Sequence, residues 1–270
     1  MIVEHCLMFD VDGVLTDPVH KEVTVVASLE EIADRLRRGQ PIILNTGRAI
    51  DFVQEKIITH LDKMFVDKTP FQNMIVIGEK GAVTLQFDHK GDGLISVDET
   101  ISVPARIQTS ARSIVESHFK NSMFFDETKR TMVSIEMHND YNLEDFRVEQ
   151  QKLVPVLEKL AASAAVSAQL NVDPTTIATD IQSIVVGKAF GARRALAWLE
   201  EKEMEPKEFI TFGDSQSDLP MAEELTHLNK RTRFVFVGEP GKLNVNNARF
   251  PIIKTKNRYE RGVSEFLKQL

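Results

Sequence analysis

Two carboxylates placed two residues apart are the most distinctive chemical feature of the sequence. They are Asp10 and Asp12, in the segment 10–17 (DVDGVLTD), which directly follows an apolar stretch. Ligands of α/β proteins bind beyond the carboxyl ends of strands, and the apolar stretch places both side chains there. Carboxylates this close repel each other, so they need a cation, a shared proton or both. Oxygen ligands without a neighbouring His or Cys favour Mg²⁺ over zinc, although a strand-ending turn with solvated carboxylates has the same local pattern.

Two further segments have features that suit an anion such as a phosphoryl group. The segment 45–48 (NTGR) follows a second apolar stretch and offers a hydroxyl and a glycine amide ahead of a helix start. Lys188 follows Gly187 at another predicted helix start. Its charge there is unfavourable to the helix dipole, so a nearby anion would explain the lysine. Each has an ordinary alternative, since Thr46 would equally serve as a helix N-cap and most lysines are merely solvated. Gln182 stands where a Walker loop needs glycine, which excludes that motif.

A second pair of carboxylates follows a later apolar stretch. Asp214 and Asp218 lie in the segment 213–218 (GDSQSD). Asp218 could serve only as an N-cap or first-turn residue of the helix that follows. Asp214 has no such structural explanation, so the sequence predicts acidic side chains at two separate strand ends.

The elements that must position these segments alternate between strand and helix. Apolar stretches predict strands at 4–10, 41–44, 74–78, 208–213, 233–237 and 250–253. Helical spacing predicts helices near 28–38, 49–61, 188–201, 218–227 and 259–270, with Ser28 as the N-cap of the first. This alternation is typical of an α/β fold, a Rossmann-like parallel sheet with helices on both faces.

The middle of the chain has a different pattern. Strands at 82–87 and 93–97 flank a turn and predict a hairpin, followed by a helix at 105–119 and a strand at 131–138. A helix at about 143–162 is expected to bend or break near Pro155, and two strands follow near 165–171 and 175–181. The sequence therefore predicts a core domain of residues 1–84 and 186–270, interrupted by an inserted α+β domain at 85–185.

Composition narrows the class of protein. The 270 residues include 33 Lys plus Arg against 40 Asp plus Glu, a net charge of −7, which argues against nucleic-acid binding. The basic residues near the C-terminus are interpreted as solvating the final loop and helix: Lys254, Lys256, Arg258 and Arg261. No apolar run approaches the roughly 18 residues of a membrane span, and the first residues do not resemble a signal peptide. Cys6 is interpreted as a core residue, and we expect a cytoplasmic enzyme or binding protein.

Taken in order, these segments resemble the haloacid dehalogenase-like (HAD) superfamily of phosphotransferases. The resemblance rests on DVDGVLTD (10–17), NTGR (45–48), Lys188 and GDSQSD (213–218). It covers the whole chain, because the long insert is similar to the type II cap of that superfamily. The hairpin, helices and strands of the insert resemble the Cof-type, or IIB, subgroup.

The resemblance implies roles for the acidic residues. Asp10 would be the nucleophile that attacks phosphorus and forms an aspartyl-phosphate. Asp12 would be the general acid for the leaving oxygen and then the base that activates water. Mg²⁺ would be held by the carboxylates of Asp10 and Asp214 and by the backbone carbonyl of Asp12.

The resemblance also implies supporting roles around the transferring group. Thr46, the Gly47 amide and Lys188 would bind the phosphoryl oxygens, and Asp218 would orient the metal shell or Lys188. Further supporting residues would be Arg48 and Ser217. The subgroup usually has Asn at the position of Ser217, so a weaker contact is expected there.

The leading hypothesis is a Mg²⁺-dependent phosphatase of a small phosphorylated metabolite, a sugar phosphate, acting as a monomer or small homo-oligomer without membrane or nucleic-acid partners. The insert would close over the site. Four of its residues are candidate substrate contacts, although residues of these types are more often solvated than bound to a ligand: Lys129, Arg130, Glu136 and His138. A phosphomutase of the phosphomannomutase type is disfavoured, because residues 85–185 lack an Asn-x-Ser-Pro stretch. A binding module that keeps the fold without turnover is the alternative from another class.

Overall fold

The computed structural model describes residues 1–164, 169–245 and 248–270. They form two compact units, Met1–Ser96 with Gly187–Leu270, and Val97–Val186. The strands are β1 (Ile2–Phe9), β2 (Ile42–Asn45), β3 (Met74–Gly78), β4 (Val83–Phe87), β5 (Gly93–Val97), β6 (Met123–Phe125), β7 (Val133–Met137), β8 (Leu170–Pro174), β9 (Ala178–Ser183), β10 (Glu205–Gly213), β11 (Thr232–Phe236) and β12 (Ile252–Lys254). The α-helices are α1 (Val26–Arg37), α2 (Ile50–Val53), α3 (Thr59–Asp62), α4 (Ala105–Ile114), α5 (Leu143–Ala162), α6 (Lys188–Glu201), α7 (Leu219–His227) and α8 (Tyr259–Leu267).

An eight-stranded sheet organises the first unit. Its strand order is β12-β11-β10-β1-β2-β3-β4-β5, in which the strands from β12 to β3 are parallel and β4 is antiparallel to β3. Phe9 at the end of β1 is level with Phe212 of β10 and Leu44 of β2. The segments that follow these three strands therefore emerge at one edge of the sheet.

Helices cover both faces of this sheet. On one face, Cys6 and Met8 of β1 belong to a buried cluster with Trp198 of α6 and Met221 of α7. On the other face, the ring of Phe212 meets Phe266 of α8 edge-on, with ring centroids 5.5 Å apart. Side chains alternate between the faces of a strand, and burial on both sides requires the continuous apolar runs seen in the sequence. The predicted α/β fold with a Rossmann-like sheet is confirmed.

The N-terminus of α1 differs from the prediction. The helix begins at Val26, and the Ser28 hydroxyl inside it donates a hydrogen bond to the carbonyl of Val25, at 2.9 Å. The buried carboxylate of Glu260, in α8, accepts hydrogen bonds from the backbone amides of Thr24 and Val25, at 2.7 and 3.1 Å. Ser28 is thus not the N-cap, because a side chain from the far end of the chain supplies the acceptor.

The hairpin of β4 and β5 belongs to the core sheet. Because β4 pairs with β3, the boundary predicted between residues 84 and 85 falls inside β4, and the second compact unit begins at Val97. The alternating pattern predicted the hairpin, but it carries no information about which sheet edge the hairpin joins.

The second unit is an antiparallel sheet with helices on one face. Its strand order is β6-β7-β9-β8, with Val133 of β7 opposite Ile181 of β9. Helix α5 is not broken at Pro155, so that part of the prediction is wrong; the fully buried Leu153 and Leu157 anchor the helix on either side of the proline. Strand β6 was not predicted, and residues 165–168 of one predicted strand lie outside the described residues. Among the helices that are described, none has the length and apolarity that crossing a bilayer requires.

Candidate active site

Three carboxylates converge at the carboxyl edge of the core sheet. Asp10 directly follows β1, Asp214 directly follows β10, and Asp218 ends the short turn that leads into α7. One carboxylate oxygen from each lies within 4.8 Å of the other two. Asp10 is 9% exposed and Asp218 is fully buried. A cluster of oxygen ligands without nitrogen or sulfur has the chemistry that Mg²⁺ prefers.

The ammonium group of Lys188 lies against this cluster. Its Nζ is 2.5 Å from Oδ1 of Asp10 and 3.1 Å from Oδ1 of Asp218, and it donates a hydrogen bond to the carbonyl of Asn45 at 2.7 Å. Burial acts to lower the pKa of Lys188, but the two carboxylates outweigh it and raise the pKa above its ordinary value. Lys188 therefore stays charged.

The charge of Lys188, with that of Lys242 acting on Asp214, does not balance three ionised carboxylates. Burial raises the pKa of Asp10, the charges of Asp218 and Asp12 act in the same direction, and Lys188 opposes them. Burial, together with the Asp218 charge, raises the pKa of Asp214 to about 6. When all three carboxylates are ionised, the cluster carries more negative charge than Lys188 and Lys242 compensate, and a divalent cation would supply the missing balance.

Asp12 has a different environment from the other three carboxylates. The guanidinium of Arg48 binds it through two hydrogen bonds, Nε to Oδ2 at 2.8 Å and Nη2 to Oδ1 at 3.1 Å. Lys21 Nζ lies 3.3 Å from Oδ1 of the same carboxylate. Burial alone would raise the pKa of Asp12, but Arg48 and Lys21 outweigh it and lower the pKa below its ordinary value. Asp12 is therefore held as a carboxylate beside the cluster.

The sequence did not predict Lys21. It reaches Asp12 because residues 17–22 fold back on themselves, with the Asp17 amide donating to the carbonyl of Glu22 at 2.8 Å and the Lys21 amide donating to the carbonyl of Asp17 at 3.0 Å. No local pattern marks a lysine in such a loop, so only the fold could have indicated it.

Gly13 is required by the close approach of two chain segments. Its φ is +69°, and a Cβ atom there would lie 2.6 Å from Oδ2 of Asp214. A larger residue would therefore strain the turn and displace Asp214 from the carboxylate cluster.

The predicted anion-binding loop follows β2 as expected. Thr46 is buried, and its Oγ1 accepts a hydrogen bond from the backbone amide of Arg48 at 3.1 Å. Helix α2 begins after Ala49, so Thr46 is not its N-cap. A Cβ atom at Gly47 would lie 3.7 Å from the side chain of Lys80, which therefore covers this glycine.

An unusual turn after β3 holds this loop from the other side. Glu79 and Lys80 have φ values of +47° and +57°, which is uncommon for residues other than glycine. The amide of Glu79 donates to the carbonyl of Arg48, and that of Lys80 donates to the carbonyl of Thr46, both at 3.0 Å. Such backbone conformations persist where surrounding contacts enforce them. Here the two hydrogen bonds join this turn to the loop of Thr46 and Arg48.

The two carboxylate oxygens of Asp218 have different neighbours. Its Oδ2 accepts hydrogen bonds from the amides of Asp214 and Ser215, at 3.1 and 3.2 Å, while Oδ1 faces Lys188. Ser217 is exposed, and its hydroxyl shares a hydrogen bond of 2.8 Å with the hydroxyl of Ser215. The contacts that hold Asp218 in place therefore do not depend on the side chain of Ser217.

The four candidate substrate contacts of the insert lie in the second unit. Lys129 and Arg130 precede β7, Glu136 lies in β7 opposite Phe124, and His138 follows it. The Nε2 atom of His138 is 2.9 Å from the carbonyl of Lys120, so this ring has a partner within its own unit.

Comparisons with known proteins support the fold. No protein-family model matches the chain, and no curated protein matches it in sequence. The structure resembles the C-terminal domain of trehalose-6-phosphate phosphatase from C. albicans, with a TM-score of 0.68 and 16% identity over 98% of this chain and 91% of that one. It also resembles a haloacid dehalogenase-like hydrolase from Bacteroides thetaiotaomicron, with a TM-score of 0.65 and 14% identity over 99% of each chain. A truncated IMP-nucleotidase from Plasmodium falciparum has a TM-score of 0.56 and 14% identity over 98% of this chain and 69% of that one. The chain therefore shares the fold of haloacid dehalogenase-like hydrolases.

Proposed function

We propose that this protein is a Mg²⁺-dependent phosphatase that hydrolyses a small phosphorylated metabolite, specifically a sugar phosphate. The observation that carries the proposal is the cluster of Asp10, Asp214 and Asp218 with the Lys188 ammonium 2.5 Å from Asp10. Two of the structural neighbours are named as a trehalose-6-phosphate phosphatase and an IMP-nucleotidase. These names support the same reaction class.

In the first step, a carboxylate oxygen of Asp10 attacks phosphorus, and the bond from phosphorus to the leaving oxygen breaks. Asp12 supplies the proton that the leaving oxygen takes up. In the second step Asp12 takes a proton from water, whose oxygen attacks phosphorus, and the phosphorus bond to Asp10 breaks. Lys188 and Thr46 hold the phosphoryl oxygens through both steps, because negative charge on them must be balanced.

Asp10, Asp214 and the backbone carbonyl of Asp12 would hold Mg²⁺, which when bound supplies positive charge to the phosphoryl oxygens. The excess negative charge of the cluster supports this assignment. The lowered pKa of Asp12 keeps the carboxylate ionised and therefore free of a proton before it acts as a base, but Arg48 and Lys21 also weaken its basicity while they hold it. Its role as an acid requires that substrate binding weakens the pair with Arg48, since a carboxylate held by two cations does not keep a proton.

We further propose that the second unit, Val97–Val186, is a cap that selects the substrate, as in the Cof-type subgroup. The order of the four segments around the insert supports this. Its candidate contacts are the polar residues on or beside β7: Lys129, Arg130, Glu136 and His138.

The test is release of inorganic phosphate from a panel of sugar phosphates, nucleotides and an aryl phosphate, with Mg²⁺ and with chelator. Asp10→Asn should abolish release, whereas the matched control Asp34→Asn, on the exposed surface of α1, should leave it unchanged. Conversion of one sugar phosphate into an isomer without phosphate release would indicate a mutase instead. Binding of substrates without conversion of any would contradict an enzymatic role.

A further inference from the structure

Asn45 and Lys188 hold each other by two hydrogen bonds in opposite directions. The Lys188 ammonium donates to the backbone carbonyl of Asn45 at 2.7 Å, and the Asn45 side-chain amide donates to the backbone carbonyl of Lys188 at 2.9 Å. Both ends of the lysine, its backbone and its charged group, are thereby fixed to the same residue of β2. A lysine side chain has four rotatable bonds, so this double contact restricts where the ammonium can lie.

The site accommodates Asn45 at a cost to stability. The residue is fully buried, and its Oδ1 has no hydrogen-bond partner among the described residues. A buried polar oxygen without a partner destabilises the folded state, and an apolar side chain would avoid that cost. The presence of Asn45 is therefore better explained by what its amide NH₂ does for Lys188.

Gly191 provides the space for this side chain. A Cβ atom at Gly191 would lie 2.1 Å from Oδ1 of Asn45 and 2.6 Å from its Nδ2. Glycine is otherwise unfavourable inside a helix, and Gly191 lies within α6, three residues after Lys188. The glycine thus lets α6 approach the amide closely enough for Lys188 to reach Asp10.

We propose that Asn45 is a positioning residue that holds the Lys188 ammonium next to Asp10, and that Gly191, by lacking a side chain, leaves room in α6 for the Asn45 amide. The inference rests on the proposed function, because it concerns the group that would bind the phosphoryl oxygens. The N-cap residue of α6, Gly187, makes no side-chain cap hydrogen bond, and the amide of Asn45 at the end of β2 bonds the carbonyl of Lys188 in the first turn.

The first experiment compares Asn45→Ala with the matched control Asn73→Ala. The side-chain amide of Asn73 also donates to a backbone carbonyl, that of Leu36 at 3.0 Å, but away from the site. Asn45→Ala should weaken binding of inorganic phosphate, measured by calorimetry with Mg²⁺ present, about tenfold, as expected when a charged hydrogen bond is misplaced. It should lower kcat about 10- to 100-fold through misplacement of Lys188. Asn73→Ala should change neither quantity.

The second experiment tests Gly191 with a double-mutant cycle. Gly191→Ala alone should displace the intact amide, and so weaken phosphate binding and lower the melting temperature. In the Asn45→Ala background the added methyl group meets no amide, and the same change should raise the melting temperature by about 2–4 °C, because alanine favours a helix. If Asn45→Ala does not fold, Gly191→Ala still perturbs the same contact from the other side.

Wild-type phosphate affinity in both Asn45→Ala and Gly191→Ala would overturn the inference, as would additive effects in the cycle. If wild-type protein binds phosphate without turning over any substrate, the phosphatase proposal fails, and the affinity comparison still decides the role of Asn45. If wild-type protein does not bind phosphate at all, both proposals fail. If Asn45→Ala turns over substrate at the wild-type rate, the positioning role of Asn45 fails and the phosphatase proposal stands.

Discussion

Replacing Asp214 by Asn should stabilise the metal-free protein at neutral and alkaline pH, although Asp214 is a proposed metal ligand. Its carboxylate is partly buried beside Asp218, and these surroundings raise its pKa from 3.8 to about 6. Above pH 6 the folded protein must therefore keep this group ionised in an environment that disfavours the charge, whereas the unfolded chain does so freely. The amide of Asn removes that charge with little change in shape.

The size of the stabilisation expected for Asp214→Asn follows from the pKa shift of Asp214. A difference of about 2 pKa units corresponds to about 3 kcal/mol, which we reduce to about 2 kcal/mol because the side chain is partly solvated. When folding raises the pKa of a carboxyl group, the ionised group destabilises the folded protein at pH values above the folded-state pKa. This destabilisation is lost as the pH falls towards 3.8, the pKa in the unfolded chain. The advantage of Asp214→Asn should therefore be largest at pH 8, shrink between pH 6 and pH 4, and vanish below.

The assay is thermal unfolding in chelator at several pH values, with Asp34→Asn as the matched control. About 2 kcal/mol should raise the melting temperature at pH 8 by about 4–8 °C. Saturating Mg²⁺ should reverse the order, because it stabilises the wild-type protein and binds the variant less tightly. A metal-free variant that melts below wild type at pH 8, or an advantage that does not depend on pH, would refute the reasoning.

Three further predictions concern other charged or reactive groups. Arg48→Ala should raise the pKa of Asp12 and move the pH–rate profile to higher pH, and an unmoved profile would show that Asp12 is not the titrating group. Glu260→Gln should lower the free energy of unfolding, measured in urea, by about 1–3 kcal/mol, because the amide makes weaker hydrogen bonds to the start of α1. An unchanged unfolding midpoint would show that these hydrogen bonds do not contribute to stability. Burial raises the pKa of the Cys6 thiol, so it should react with thiol reagents only after unfolding, and rapid labelling of native protein would contradict its burial.

The core strands and the edge that carries the site could be predicted from local sequence. Strands buried on both faces require apolar runs, and β3 and α6 have the predicted bounds. Because the central strands are parallel, knowing that Asp10, Thr46 and Asp214 follow strands is enough to bring them to one edge. The chemistry of the cluster follows from these few positions.

Contacts between distant parts of the chain could not be predicted in this way. Local sequence favours Ser28 as the N-cap of α1 because serine is a common cap, whereas the observed acceptor is Glu260, 236 residues from Thr24. The pairing of Lys21 with Asp12 depends on how one loop folds back. A single sequence shows residue types and spacing, but such contacts depend on which elements pack together.

The fold divides the carboxylates of the candidate site into two groups with opposite electrostatics. Asp10 and Asp218 share the Lys188 ammonium, and the pKa values of Asp10 and Asp214 are raised despite the charges of Lys188 and Lys242. Asp12 has two cations of its own and a lowered pKa, although it is only two residues from Asp10. Surroundings that separate the pKa values of similar side chains allow them different chemical roles. A bound cation would complete the charge balance of the first group and add little to the second. This division fits the roles proposed above, in which the first group binds the phosphoryl group and the metal, and Asp12 exchanges protons once its pairs with Arg48 and Lys21 weaken.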